Sequence, residues 1–201
     1  MKNKQLPSAL LVGFALLLLG ALAGCSLLES APEPAKPANP TGVSGKLNAE
    51  AEQLFAKAHV LWRHTETCSD TEKAVLYLDQ ALAIEPDYPQ ALQRRGLVLS
   101  QLGYTDEAFE DFTRAIRLDP TAEAYADRGL GLLRAGRYGG ARKDLEQALR
   151  LDAHSHRAWN FLGAIATQEG KMEEACTAFE NACSNGDCVG LESARREKLC
   201  K

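Results

Sequence analysis

Apolar residues recur at helical spacing through most of the chain beyond residue 47, and small side chains alternate with large ones inside that pattern. Between Pro89 and Thr121, Leu92, Gly96 and Leu99 fall at i, i+4 and i+7, as do Ala108, Phe112 and Ala115. Each set forms one face of a helix. Leu102-Gly103-Tyr104 splits the two stretches, and Asp119-Pro120 stops the second. Proline cannot continue a helix and disfavours helix at the residue before it. The pattern predicts two helices that cross where Gly96, Ala108 and Ala115 leave room.

The layout then repeats. The first-helix glycines Gly96, Gly129 and Gly163 are 33 and 34 residues apart, and Gly103, Gly136 and Gly170 between the helices keep the same spacing. Ala108, Ala141 and Ala175 recur in phase with Ala115, Ala148 and Ala182, with Phe112, Leu145 and Phe179 between them. A period near 34 with two helices per unit resembles the tetratricopeptide repeat (TPR) over roughly 51–189. Arg95 and Arg128 depart from it by standing where Leu is usual, and Ala153 and Asp187 replace the closing proline. The resemblance implies an all-α TPR superhelix of about four helix-turn-helix repeats with a C-terminal capping helix. Its units are a degenerate repeat at 47–88, then 89–121, 122–155 and 156–188, with a cap and Cys tail at 189–201.

In the degenerate unit, residues 47–63 read as one helix with Leu54, Ala58 and Leu61 on its apolar face. Residues 71–84 read as the second, with Ala74, Leu78 and Ala81 in phase and Pro86 closing it. The connection His64 to Asp70 is longer than in later units, and Ser69 or Asp70 is suited to cap the second helix. Gly139-Gly140 makes a poor helix start in the third unit, at about 1 kcal/mol per Gly relative to Ala. The fourth unit carries Trp159, Leu162 and Gly163, followed by a mostly charged stretch from Val189 to Leu199.

Ahead of the repeats, Lys2 and Lys4 precede an uncharged apolar run from Ala9 to Ala23, the layout of a secretory signal peptide at 1–24. Leu22-Ala23-Gly24-Cys25 resembles the lipobox of bacterial lipoproteins. That resemblance implies cleavage before Cys25 and lipidation on it; an uncleaved anchor with an incidental Cys is the alternative. Three acyl chains anchor far more firmly than a single myristoyl chain. Ser26, where Asp would signal inner-membrane retention, implies the outer membrane. In the linker at 25–46, Pro32, Pro34, Pro37 and Pro40 impose an extended backbone, reaching roughly 50 Å at most. The expected arrangement is a lipid-anchored domain facing the periplasm.

Net charge is −4. Residues 1–24 hold only Lys2 and Lys4, so the remainder carries −6 from 21 basic and 27 acidic groups. This argues against nucleic acid as a partner. Arg94, Arg95, Arg128 and Arg134, with Glu107, Glu110 and Asp111, read as solvated helix faces supported by pairs such as Glu110–Arg114. The TPR resemblance implies that the first helix of each unit lines a partner groove. In unit two that groove is Gln90, Gln93, Leu97 and Ser100. Unit three supplies Glu123, Ala126, Leu130 and Leu133; unit four supplies Arg157, Asn160, Ala164 and Thr167. Such a mixed lining suits a helix or an extended peptide. The lysines and asparagines of the carboxylate-clamp subset have no match.

Five cysteines remain besides Cys25: Cys68, Cys176, Cys183, Cys188 and Cys200. Export favours pairing. Cys183 and Cys188 flank Ser184-Asn185-Gly186-Asp187 symmetrically, which favours Cys183–Cys188 with Cys176–Cys200 and leaves Cys68 free. Cys183–Cys200 stays open, because sequence does not fix connectivity. A zinc site lacks its usual C-x₂₋₄-C pairs, and no C-x-x-C redox or haem motif occurs. His154 and His156 read as solvated loop residues. With no catalytic motif, the expectation is a non-catalytic scaffold without cofactor or metal. It would bind envelope proteins through the groove and the membrane through lipid on Cys25, in assembly of a pilus or secretion system. The alternatives are a scaffold for peptidoglycan enzymes, or a thiol or metal protein using the cysteine cluster.

Overall fold

The computed structural model describes residues 47–63 and 67–201. The expected signal peptide, the lipidation site Cys25 and the proline-rich linker lie outside the described residues, as do His64, Thr65 and Glu66. The order is α1 (Ala49–His59), β1 (Trp62–Arg63), β2 (Thr67–Cys68), α2 (Thr71–Ile84), α3 (Pro89–Leu102) and α4 (Thr105–Leu118). It continues with α5 (Ala122–Arg134), α6 (Tyr138–Leu151), α7 (His156–Gln168), α8 (Met172–Ser184) and α9 (Val189–Arg196).

Local chemistry sets these boundaries. Asn48, Asp70, Thr121 and Ser155 accept hydrogen bonds from backbone N–H groups in the first turns of α1, α2, α5 and α7, which satisfies donors that a helix start leaves unpaired. Pro89 opens α3, where its missing N–H costs nothing. Gly103, Gly136 and Gly170, at φ of 88°, 70° and 75°, turn the chain between the helices of units two, three and four, a conformation glycine adopts without steric penalty.

Within units two, three and four the two helices cross through a glycine. A Cβ built on Gly96 would stand 2.8 Å from the Phe112 ring, on Gly129 2.8 Å from Leu145, and on Gly163 2.5 Å from Phe179. Consecutive hairpins then stack: α2 packs on α3, α4 on α5 and α6 on α7, while α5 also touches α3 and α7 directly. The first helices therefore line the shorter-radius side of the array. One core cluster runs through Leu97, Phe112, Leu130, Leu145, Phe161 and Leu162, and a second gathers Leu78, Tyr88, Leu92 and Val98. At the C-terminal end, Leu191 and Ala194 of α9 close over Ala166, Ala175 and Phe179.

Two expectations are corrected. The helix expected over 47–63 ends at His59, and Trp62 and Arg63 instead pair antiparallel with Cys68 and Thr67. Ser69 donates to the Leu61 carbonyl through both its N–H (2.9 Å) and its hydroxyl (2.8 Å). The Gln101 amide brackets Cys68, accepting from its N–H at 2.9 Å and donating to its carbonyl at 3.1 Å. These distant partners override a helical period that Leu61 would continue. The cap is also shorter than 189–199. It stops at Arg196, and Lys198 at φ 60° turns the chain back toward α8.

Candidate protein-binding groove

The inner face is built from α3, α5 and α7, with the β1–β2 hairpin at one end and α9 at the other. The predicted lining residues divide into two sets. Gln90 and Glu123 are exposed, and Ser100, Leu133, Arg157, Asn160, Ala164 and Thr167 are half-buried. Gln93 (7% exposed), Leu97 (1%), Ala126 and Leu130 are buried. Leu97, Ala126 and Leu130 belong to the core between adjacent first helices, so these four support the groove from beneath rather than offering it a surface. Part of the polar lining is already engaged internally. Ser100 accepts from Arg134 at 3.0 Å, Thr167 donates to its own helix at Gly163, and Asn160 donates to Asp187 at 2.7 Å.

Sequence reasoning placed Glu123 and Arg157 on this face but missed the buried carboxylate at its centre. Asp127 is 1% exposed and accepts from Arg157 Nη2 at 2.6 Å. Burial pushes its carboxyl up from the ordinary 3.8 to about 6, even though Arg157 opposes that shift. Glu123 sits 3.6 Å from Arg157 and 3.9 Å from Arg94, and the Arg94 guanidinium lies 5.4 Å over the Trp62 ring. Together His59, Trp62, Arg94, Glu123 and Arg157 surround a recess of about 260 Å³. Only the recurrence of position 94 at 127 and 161 marked this line in the sequence, since Arg94, Asp127 and Phe161 share no chemistry.

Arg95 and Arg128 depart from the expected solvated faces: both are half-buried and paired. Arg95 grips Asp111 with two hydrogen bonds of 2.7 and 2.8 Å and reaches back to Asp79 of the preceding unit at 2.8 Å. Arg128 grips Asp144 at 2.7 and 2.8 Å, reaches back to Thr113 at 3.4 Å, and lies over the rings of Phe109 and Tyr125. The paired carboxylates raise both guanidinium pKa values, against the opposing effect of burial. Arg114 pairs with Asp87 across units at 2.8 Å.

At the C-terminal end, disulfides join Cys176 to Cys200 and Cys183 to Cys188, with Cα separations of 5.5 and 3.9 Å. Among the described residues Cys68 has no disulfide partner; burial pushes its thiol pKa up, and the thiol lies 3.4 Å from the Asp70 carbonyl. His154 approaches Asn185 at 2.8 Å, and His156 lies 3.5 Å from Asp187. Among the described residues, no group of three or more His, Cys, Asp or Glu is arranged to hold a metal ion.

Comparison with known proteins agrees with this architecture. Two tetratricopeptide repeat family models match, one at residues 89–122 and one at 126–187. Human tetratricopeptide repeat protein 13 is 33% identical over 113 residues, which is 56% of this chain and 13% of that protein. The chain thus spans a small part of that relative's length. MamA from Desulfovibrio magneticus RS-1 superposes with a TM-score of 0.55 at 22% identity, covering 70% of this chain and 78% of the other. The structure of pilF from Pseudomonas aeruginosa gives 0.59 at 22% identity, covering 68% and 61%. At such identity the likeness concerns the fold. With the glycine crossings, the stacked hairpins and the matched repeats together, the chain is a tetratricopeptide repeat protein.

Proposed function

We propose that this protein is a lipid-anchored, non-catalytic scaffold that holds a partner protein in its inner groove and assembles a cell-envelope complex such as a pilus or secretion system. TPR proteins act as protein–protein interaction scaffolds. The observation that carries the reading is the recess between the first helices, where the Trp62 ring, the Arg94 and Arg157 guanidiniums and the Glu123 carboxylate converge. Such a mixture of aromatic surface and both charge signs suits a peptide segment docking by its side chains. The anchor rests on the Leu22-Ala23-Gly24-Cys25 motif and on the proline-rich stretch after it. With Ser26 after the cysteine, they support an outer-membrane anchor with the domain facing the periplasm.

Crosslinking in intact cells, with a photoreactive residue at Gln90 or Ala164, tests the groove. Capture of a pilus or channel component supports the reading, and its loss in an Arg157→Glu variant places the contact in the recess. Capture of peptidoglycan enzymes would instead assign the groove to cell-wall machinery, and capture of abundant porins alone would remove the scaffold reading. Cys25→Ser tests the anchor separately, by loss of palmitate labelling and of the membrane-bound fraction.

A further inference from the structure

The fourth unit breaks a device that the second and third share. Position 95 recurs at 128 and 162, position 111 at 144 and 178, and position 79 of the preceding unit at 113 and 146. In units two and three these positions form an arginine clamp: Arg95 on Asp111 and Asp79, and Arg128 on Asp144 and Thr113. In unit four the arginine is Leu162 and the aspartate is Ala178, while the preceding unit still offers an acceptor, Glu146. A cleft of about 530 Å³ opens at this place between α6, α7 and α8.

The cleft keeps the rest of the receptor. Its floor is Leu162 (7% exposed) and Ala178 (4%), flanked by Leu149. Trp159 lines it at the position held in unit three by Tyr125, whose ring faces the Arg128 guanidinium. Glu146, Glu173 and Glu174 line it against a single cation, Arg142. Arg142 is already committed to Glu174 and to Glu169. The surplus at the cleft is therefore acidic, over an apolar floor beside an indole.

We propose that this cleft docks an arginine side chain of a partner peptide, which takes the place of the clamp arginine that unit four lacks. The guanidinium binds Glu146 and stacks by Trp159, and its methylene stem covers Leu162 and Ala178. Arginine fits better than lysine because its planar fork both stacks on aromatic faces and engages a carboxylate with two donors. An acidic peptide is repelled by the glutamates, and a purely apolar one leaves Glu146 beside a dry surface. The site lies apart from the inner recess and does not depend on the role proposed for it.

The test uses the full chain in mild detergent, labelled with ¹⁵N at its tryptophans, and titrated with acetyl-Leu-Arg-Leu-amide or its citrulline counterpart. The arginine peptide should move the Trp159 indole resonance saturably, with the citrulline peptide at least about tenfold weaker, as loss of a charge-assisted contact implies. Glu146→Gln, on an exposed residue, should weaken the arginine peptide to a similar degree. Leu162→Arg with Ala178→Asp rebuilds the clamp within the chain and should abolish binding. Equal binding of both peptides, or no shift of Trp159 at about 10 mM peptide, overturns the proposal. So does undiminished binding by Glu146→Gln, or by the rebuilt clamp in a variant that still melts cooperatively. If the rebuilt clamp fails to fold, the Glu146→Gln comparison decides alone.

Discussion

Gly163 faces the Phe179 ring so closely that a methyl group there would stand 2.5 Å from a ring carbon. Gly163→Ala should therefore destabilise the protein by about 1–3 kcal/mol, because overpacking forces the ring or the helix to shift. Gly139, in the first turn of α6, has open space around its would-be Cβ. Gly139→Ala should stabilise by up to about 1 kcal/mol, since only backbone entropy changes. Urea titration of the two variants should show opposite displacements of the midpoint; a matching displacement would contradict the steric account. At Asp127 the prediction concerns pH. A folded-state pKa raised from 3.8 to about 6 means the folded protein binds the proton more readily than the unfolded chain. This residue's contribution to stability is thus fully present below about pH 4 and falls away as the pH rises through 6. Asp127→Asn, which keeps an acceptor for Arg157, should flatten the stability profile across that window. A carboxyl NMR titration of Asp127 with a midpoint near 4 would remove the basis for this.

Among the elements, the clamps invite a comparison that the chain has already made. Removing one partner by Asp144→Ala leaves Arg128 at the α5–α6 seam without its main acceptor and should cost about 1–3 kcal/mol. Replacing both by the unit-four pair, Arg128→Leu with Asp144→Ala, should recover most of that loss, because a buried ion pair is rarely worth more than well-packed apolar groups. A double variant no more stable than Asp144→Ala alone would mean that the clamp itself carries the seam. The terminal element makes a different prediction. Cys176–Cys200 ties the end of the chain to α8 across 24 residues of sequence, a closure worth about 3.5 kcal/mol on the chain-entropy account. Reductant, or deletion of 189–201, should lower the melting temperature and uncover Phe179 and Ala166. An unchanged melting curve would make α9 a passive tail.

At the scale of the molecule, the repeat was legible because its steric rule is periodic: Gly96, Gly129 and Gly163 meet Phe112, Leu145 and Phe179 at a constant offset. What escaped gave no apolar pattern to reveal it. Arg95 and Arg128 looked solvated because their partners stand 16 residues later, on another helix, and only the fold brings them together. The helix stop at His59 depends on Gln101, 33 residues beyond Cys68. Four groove positions, Gln93, Leu97, Ala126 and Leu130, were placed on the correct helices yet lie inward, because the buried stripe of each first helix is wider than one contact partner requires. The Asp127 centre stayed hidden because its importance comes from burial, which no single side chain announces.

The clamps also run in one direction. Arg95 reaches back to Asp79, and Arg128 to Thr113, so each unit's arginine finds its second acceptor on a helix that precedes it in the chain. During synthesis the amino-terminal segments emerge first, and a growing array folds upon what has already emerged. For its second acceptor, therefore, neither clamp has to wait for sequence that emerges later. Cys200 follows all four hairpins in the chain, so the covalent lock on the array closes only after the segments beneath it have emerged.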